Sequence, residues 1–291
     1  MQKTEVSIII PACNEARSIG DLIEKIKSLY PDFEVIVIND GSTDDTAGVA
    51  GNAGAIVYSH PYNIGNGAAI KSGIRIASGE ILVFMDGDGQ HNPEDIKNLL
   101  EHLPEFDMVV GSRSGGDHST FIRTLGNKIF NSLASYVSKF PVRDLTSGFR
   151  AVKSEVVKNF LYLLPNTYSY PTTLTLSVLR NGRSVKYVPV KVSSRKTGKS
   201  NISMFRDGVR FFMIITKICA LYSPLRIFLP VSLFLFLVGL SYYVYTYITL
   251  NRFTNMSALL FSTSILIFML GLVSEQICQM RFERSEGDKF I

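Results

Sequence analysis

The first half of the chain alternates short apolar runs with longer stretches of helical period. Val6 to Ile10, Glu34 to Ile38, Ala55 to Tyr58 and Ile81 to Met85 read as strands, each followed by a polar loop containing Gly or Asn. Between them, Ile19, Leu22, Ile23 and Ile26 mark one helical face, Ser42 or Thr43 is placed to cap a second helix, and Ala68 to Ala77 forms a third. Repetition of strand, loop and helix predicts an open α/β sheet, in which ligands bind at the carboxyl ends of the strands. The run from Ile81 to Met85, bounded by Gly79 and Gly87, is apolar without alternation. That suits a strand of a parallel sheet covered on both faces.

The C-terminal pattern is different. No residue is charged from Ile227 to Leu250, nor from Phe253 to Ser274, and each run reaches the roughly 20 residues that cross a bilayer. Asn251 and Arg252 leave only a short turn, so a transmembrane hairpin is expected. Just before it, Met204 to Leu221 is helical in period, with Arg206, Arg210 and Lys217 within about 40° of one another on the wheel. This stretch either lies in the membrane interface or packs on the globular domain. The expected division is a catalytic domain over 1–201, a juxtamembrane amphipathic region over 202–226, the hairpin over 227–280 and a tail over 281–291.

Charge and cysteine usage sharpen the compartment. Lys and Arg gather before the hairpin (Arg195, Lys196, Lys199, Arg206, Arg210, Lys217, Arg226) and after it (Arg281, Arg284, Lys289), while the turn holds one Arg. Both ends are therefore expected on the cytoplasmic side. The opening residues pass straight into a strand without an apolar signal region, which keeps the first domain in the cytosol. Cys13, Cys219 and Cys278 make no disulfide framework or metal spacing. The net charge of +5 suits anionic lipid and phosphate substrates rather than nucleic acid, because the basic excess lies near the membrane.

The candidate chemistry follows the central strand. Asp86 and Asp88, one residue apart among glycines, can hold a hard cation, Mg2+ or Mn2+, whose remaining positions go to substrate phosphates. A plain turn is the competing reading. A calcium loop fits less well, since His91 falls where an EF-hand needs its Gly and Lys97 where it needs its bidentate Glu.

Ile10-Pro11-Ala12-Cys13-Asn14-Glu15, Asn39-Asp40-Gly41-Ser42-Thr43-Asp44, Asn63-Ile64-Gly65-Asn66-Gly67 and Asp86-Gly87-Asp88-Gly89-Gln90-His91 occur in the order seen in glycosyltransferase family two. With Val110-Gly111-Ser112-Arg113, Asp144 to Arg150 and Arg195 to Ser200, the chain resembles its polyprenyl-phosphate branch, which includes dolichol-phosphate mannose synthase. The resemblance implies a GT-A catalytic fold and an inverting, metal-dependent transfer from a nucleotide sugar to a polyprenyl phosphate. It carries nucleotide contacts to Pro11, Cys13, Glu15, Asp40, Asp86 and Gly87, and metal ligation to Asp88, with Gln90 and Asp86 beside it. Asp40 has a second reading, as the start of an Asx-turn. His91 is expected beside the metal site or at the surface rather than as a ligand. Arg113 and Arg123 are implied to receive the acceptor phosphate, with a surface ion pair as the alternative for each. Arg195 and Lys199 either close over the donor diphosphate or read a lipid surface. Asp144, Thr146, Ser147 and Arg150 form either a structural Asp–Arg pair or part of the acceptor pocket. Asn39, Asn66 and the stretch 168–173 depart from the family pattern, the last on the acceptor side.

Two other functions compete. One is a family-two transferase acting on another lipid or a saccharide; against polymer extension, the chain has no Trp and so lacks the Gln-x-x-Arg-Trp motif of polymerising relatives. The other is a non-catalytic nucleotide-binding membrane adaptor, against which the intact Asp86, Asp88 and Arg113 argue. The sugar, the base and the oligomeric state, a homo-oligomer included, stay open.

Overall fold

The computed structural model describes residues 5–113, 131–132, 134–136, 138–167, 169–190 and 223–287, with side chains described up to residue 280. The chain divides into two compact units, Met1–Ile202 and Ser203–Ile291.

The first unit is built on a seven-stranded mixed sheet. In chain order its elements are β1 (Val6–Ala12), α1 (Ile19–Leu29), β2 (Glu34–Asn39), α2 (Thr46–Asn52), β3 (Ile56–Ser59), α3 (Asn66–Ile76), β4 (Ile81–Phe84), α4 (Asp95–Leu100) and β5 (Met108–Arg113). There follow β6 (Arg150–Lys153), α5 (Ser154–Asn159), a short 3-10 turn at Leu161–Leu163, α6 (Tyr170–Arg180) and β7 (Val185–Val190). The strands lie in the order β3-β2-β1-β4-β6-β5-β7. β1 runs parallel to both β2 and β4, and its register sets Ile9 beside Ile36 on one side and Phe84 on the other.

The apolar runs are strands because both faces of the sheet are covered. Ile8, Ile10, Val35, Val37 and Val83 pack with Ile19, Ile23 and Ile26 of α1 on one side, while Ile9, Ile36, Leu82 and Phe84 pack with Ile70 and Ile74 of α3 on the other. Gly73 lets α3 approach β1 closely, since a Cβ there would lie 2.3 Å from the Ile9 side chain.

One strand departs from the expected parallel sheet. β6 is antiparallel to both β4 and β5, with Arg150 opposite Phe84 and Val110. Because β6 runs backwards, the residues just before it lie at the edge where β4 and β5 end. Helix α2 also starts differently from the expectation. Its N-cap is Asp45, whose side chain makes no capping bond; Ser42 and Thr43 are engaged with Asn14 instead.

The second unit contains a helical hairpin, α7 (Leu225–Leu250) and α8 (Asn255–Gly287), turning at Asn251, whose left-handed conformation ends α7. The buried positions of the hairpin are small and seven residues apart: Ser232, Gly239 and Thr246 on α7, and Ser257, Ser264, Gly271 and Cys278 on α8. Ser232 and Ser264 each donate a hydroxyl to the other's carbonyl oxygen at 2.9 Å. A Cβ on Gly239 would lie 3.0 Å from Leu260, and one on Gly271 2.6 Å from Phe228. Outward, Leu233, Phe234, Ile265 and Leu266 are exposed. Polar atoms inside and Leu and Phe outside is the reverse of a water-soluble bundle, and small-residue seams of this kind let helices pack closely in lipid. The helical stretch expected over 204–221 lies outside the described residues.

Candidate active site

Four loops meet at the carboxyl ends of the parallel strands, and the chain ties them together with its own polar groups. After β1, Asn14 adopts a left-handed backbone and its side chain accepts a bond from the Thr43 N–H at 2.8 Å. The N–H groups of Asn14 and Glu15 donate in turn to the hydroxyls of Ser42 (3.0 Å) and Thr46 (2.9 Å). The Ser18 hydroxyl donates to the Gly87 carbonyl at 3.1 Å, joining the β1 loop to the β4 loop. Pro11 is buried within β1, and Cys13 and Glu15 are partly open at this edge. The Asn63 amide donates to the Cys13 sulfur at 3.3 Å.

Asp40 is turned inward. Its carboxylate accepts from the N–H groups of Ile64 (2.9 Å) and Gly65 (2.8 Å) and from His60 Nδ1 (2.7 Å), and only 3% of the residue is exposed. A proton on Nδ1 leaves Nε2 to accept from the Ser72 hydroxyl at 2.9 Å. Asp40 thus staples the loop before α3. It is not the start of an Asx-turn, because its partners lie twenty or more residues away.

The β4 loop carries the paired carboxylates. Asp86 and Asp88 are both partly exposed, with Gly87 buried between them. Asp88 Oδ1 accepts from the Gln90 N–H at 3.1 Å, across a turn in which Gly89 has φ +70°. A Cβ on Gly89 would meet nothing, so this glycine serves the backbone conformation and leaves space above the loop. Among the described residues no group of three His, Cys, Asp or Glu side chains could cage a metal. Two carboxylates and a carboxamide oxygen on an open loop do fit Mg2+ or Mn2+, which bind through one or two carboxylates and complete their shell with phosphates and water.

His91 is only partly exposed. Its ring stacks on Phe149 at 4.8 Å with Nδ1 buried, and no partner for Nδ1 lies among the described residues. Burial pushes the imidazole down to about 4, with Asp88 opposing and Arg113 assisting the shift.

On the other side of this edge, Arg113 closes β5. Its Nε donates to Asp144 Oδ2 at 3.0 Å and its Nη2 to the Thr146 hydroxyl at 2.9 Å. The structural Asp–Arg pair is therefore Asp144 with Arg113, not with Arg150. Asp144 Oδ1 accepts from the N–H groups of Thr146 and Ser147, each at 3.1 Å. Burial works to raise this carboxyl, but Arg113 and the Thr146 bonds outweigh it and hold it below the usual carboxylate range.

Arg150 is fully buried beneath this loop. It donates to the carbonyls of Pro171 (2.9 Å) and Ser147 and to the Thr175 hydroxyl (3.1 Å). Tyr170, Tyr187, Asp144 and Asp86 surround its charge. Burial depresses the guanidinium and raises both phenols. The polar stretch that departs from the family pattern thus supplies neutral partners to a buried cation.

The same loop approaches the paired carboxylates, since a Cβ on Gly148 would stand 2.7 Å from Asp86 Oδ2. Asp86, Asp88, Arg113 and Asp144 consequently share one edge of the sheet, along with Gly87 and Gln90. Arg123, Arg195 and Lys199 lie outside the described residues. Sequence reasoning passed over His60, Gly148 and Phe149, whose roles depend on partners far along the chain.

Both parts of the chain are similar to known proteins. Residues 7–161 match the model for glycosyl transferase family 2, and residues 223–280 match the model described as the GtrB C-terminal hairpin. The undecaprenyl-phosphate 4-deoxy-4-formamido-L-arabinose transferase of Sodalis glossinidius is 26% identical over 254 residues, covering 83% of this chain and 76% of its own. The polyprenol monophosphomannose synthase of Mycolicibacterium smegmatis is 28% identical over 212 residues, covering 67% and 80%. In fold, the chain is similar to glucosyl-3-phosphoglycerate synthase from Mycobacterium tuberculosis, solved with Mn2+, uridine-diphosphate and glucosyl-3-phosphoglycerate. That likeness has a TM-score of 0.60 at 23% identity and covers 74% of this chain and 79% of the other.

Proposed function

Since the chain belongs to glycosyl transferase family 2, we propose that it moves a sugar from a nucleotide diphosphate donor to polyprenyl phosphate, with inversion, at the cytoplasmic face of a membrane. The observation that carries this reading is the guanidinium of Arg113, locked at the end of β5 on the same sheet edge as Asp86 and Asp88.

A divalent ion on Asp88, with Asp86 and Gln90 beside it, would offset the charge that builds on the departing nucleoside diphosphate. Around it, the loops of Pro11, Cys13, Glu15 and Gly87 bind the nucleotide. Asp40 acts at one remove, holding Ile64 and Gly65 in place. Arg113 receives the acceptor phosphate, for which a planar fork is better suited than a point charge. Such an acceptor is already an anion near neutral pH, its second pKa being about 6. The protein then has to set two anions against their repulsion and hold them in line, a task of positioning and electrostatics. Arg123, Arg195 and Lys199 are assigned by the family resemblance to the phosphates on either side.

The relatives named for polyprenyl or undecaprenyl phosphate act with different sugars, so the acceptor class is supported and the sugar is left to experiment. Membrane insertion through the hairpin is supported by its inverted polarity, and cytoplasmic termini by the Lys and Arg on both flanks. We assign catalysis to 1–201 and an interfacial role to 202–226. The test is to supply membranes holding the protein with a panel of radiolabelled nucleotide sugars. One donor should place label in an acid-labile lipid, dependent on Mg2+ or Mn2+. Label only in a polysaccharide or a soluble product would contradict the assignment.

A further inference from the structure

We propose that Asp144 is the positioning residue that sets Arg113 to receive the acceptor phosphate, an inference that rests on the polyprenyl-phosphate reading above. The two oxygens of its carboxylate have separate tasks. Oδ1 takes the Thr146 and Ser147 N–H groups and so shapes its own loop, while Oδ2 takes Arg113 Nε at 3.0 Å. Thr146, fixed by that loop, then takes Arg113 Nη2 at 2.9 Å.

The loop itself is anchored without help from Arg113. The Ser147 hydroxyl donates to the Gly111 carbonyl at 2.6 Å, the Gly111 N–H donates to the Phe149 carbonyl at 3.0 Å, and Arg150 donates to the Ser147 carbonyl from below. Reversed β6 brings this anchored loop to the ends of β4 and β5 together. A long Arg side chain carries about 2 kcal/mol of rotamer entropy, which a ligand must otherwise overcome on binding. Here two bonds fix the guanidinium beforehand, and Nη1 has no partner among the described residues. The side chain remains 36% exposed, so the fork is held in place and still reachable.

A different consequence follows if the pair is only structural. Asp144 would then compete with the phosphate for Arg113, and removing its charge would tighten acceptor binding. Asp144→Asn separates the two cases, because the amide oxygen keeps the Thr146 and Ser147 bonds while the amide NH2 faces Nε–H. Kinetics with a short-chain polyprenyl phosphate should show the acceptor KM raised about tenfold, with the donor KM within about twofold of wild type. In an Arg113→Lys background, where no Nε–H remains to be held, Asp144→Asn should add less than about a further twofold. Thr146→Val, which removes only the Nη2 partner, should shift the acceptor KM in the same direction by about threefold and serves if Asp144→Asn fails to fold. An unchanged or lowered acceptor KM, or an equal penalty in both backgrounds, would overturn the inference alone. A wild-type protein that binds nucleotide sugar yet neither binds nor uses polyprenyl phosphate would instead overturn the reading beneath it.

Discussion

At the residue scale, Asp88 and Gly148 make different demands on the same edge. Asp88 sits on an open loop and its Oδ1 accepts from the Gln90 N–H, a bond an amide oxygen can keep, so Asp88→Asn should leave the fold intact. Activity should fall by about a hundredfold or more, since a metal ligand of this kind supplies several kcal/mol; near-full turnover by the folded variant would remove the metal assignment. Gly148 has no reactive group, yet a methyl there would strike Asp86 Oδ2 at 2.7 Å. Gly148→Ala should therefore weaken donor binding by about tenfold or more without unfolding the protein, measured by nucleotide titration. His91 adds a pH signature. Its folded value of about 4 lies below the ordinary 6.5, so the unfolded chain takes up the proton first. Stability from this group is complete above about pH 6.5 and lost as pH falls toward 4, by about 3 kcal/mol at most. Melting in detergent at pH 7.5 and pH 5 should show the loss, and His91→Phe should flatten it.

At the element scale, the sequence made the strands legible and left their directions dark. An apolar run such as Val6 to Ile10 announces burial on both faces, and Ile19, Leu22, Ile23 and Ile26 announce one face of a helix. Nothing in Arg150-Ala151-Val152-Lys153 states that this strand runs antiparallel, because periodicity carries no direction. The pairing of Asp144 with Arg113 and the contact of Gly148 with Asp86 both follow from that reversal, which is why the 144–150 motif could not be divided between structural and acceptor roles. The partners of Asp40 were hidden for a related reason, since His60, Ile64 and Gly65 come from the loop after the next strand. The hairpin was visible from its lack of charge, but its seam was not, because small residues seven apart are hidden among Leu and Phe. The seam is testable: Ser232 and Ser264 have their oxygens 3.2 Å apart. Cysteines at both positions should cross-link in membranes, whereas a pair at the outward-facing Leu233 and Ile265 should not.

At the scale of the whole molecule, the chain joins an α/β sheet to a hairpin whose polarity is inverted for lipid. Basic residues on both flanks of the hairpin predict that a tag placed after Ile291 is cytoplasmic. Protease added to inside-out vesicles should remove it, and protection there would reverse the orientation. The central proposal concerns the acceptor: a lipid phosphate, already an anion, would be held by Arg113, and no sugar hydroxyl would have to be deprotonated. The most direct measurement compares one polyprenyl chain with and without its phosphate, offered to the purified protein with the same labelled nucleotide sugar and metal. Transfer to the phosphate form and none to the free polyprenol is the predicted result, whereas efficient transfer to the free polyprenol would contradict the account.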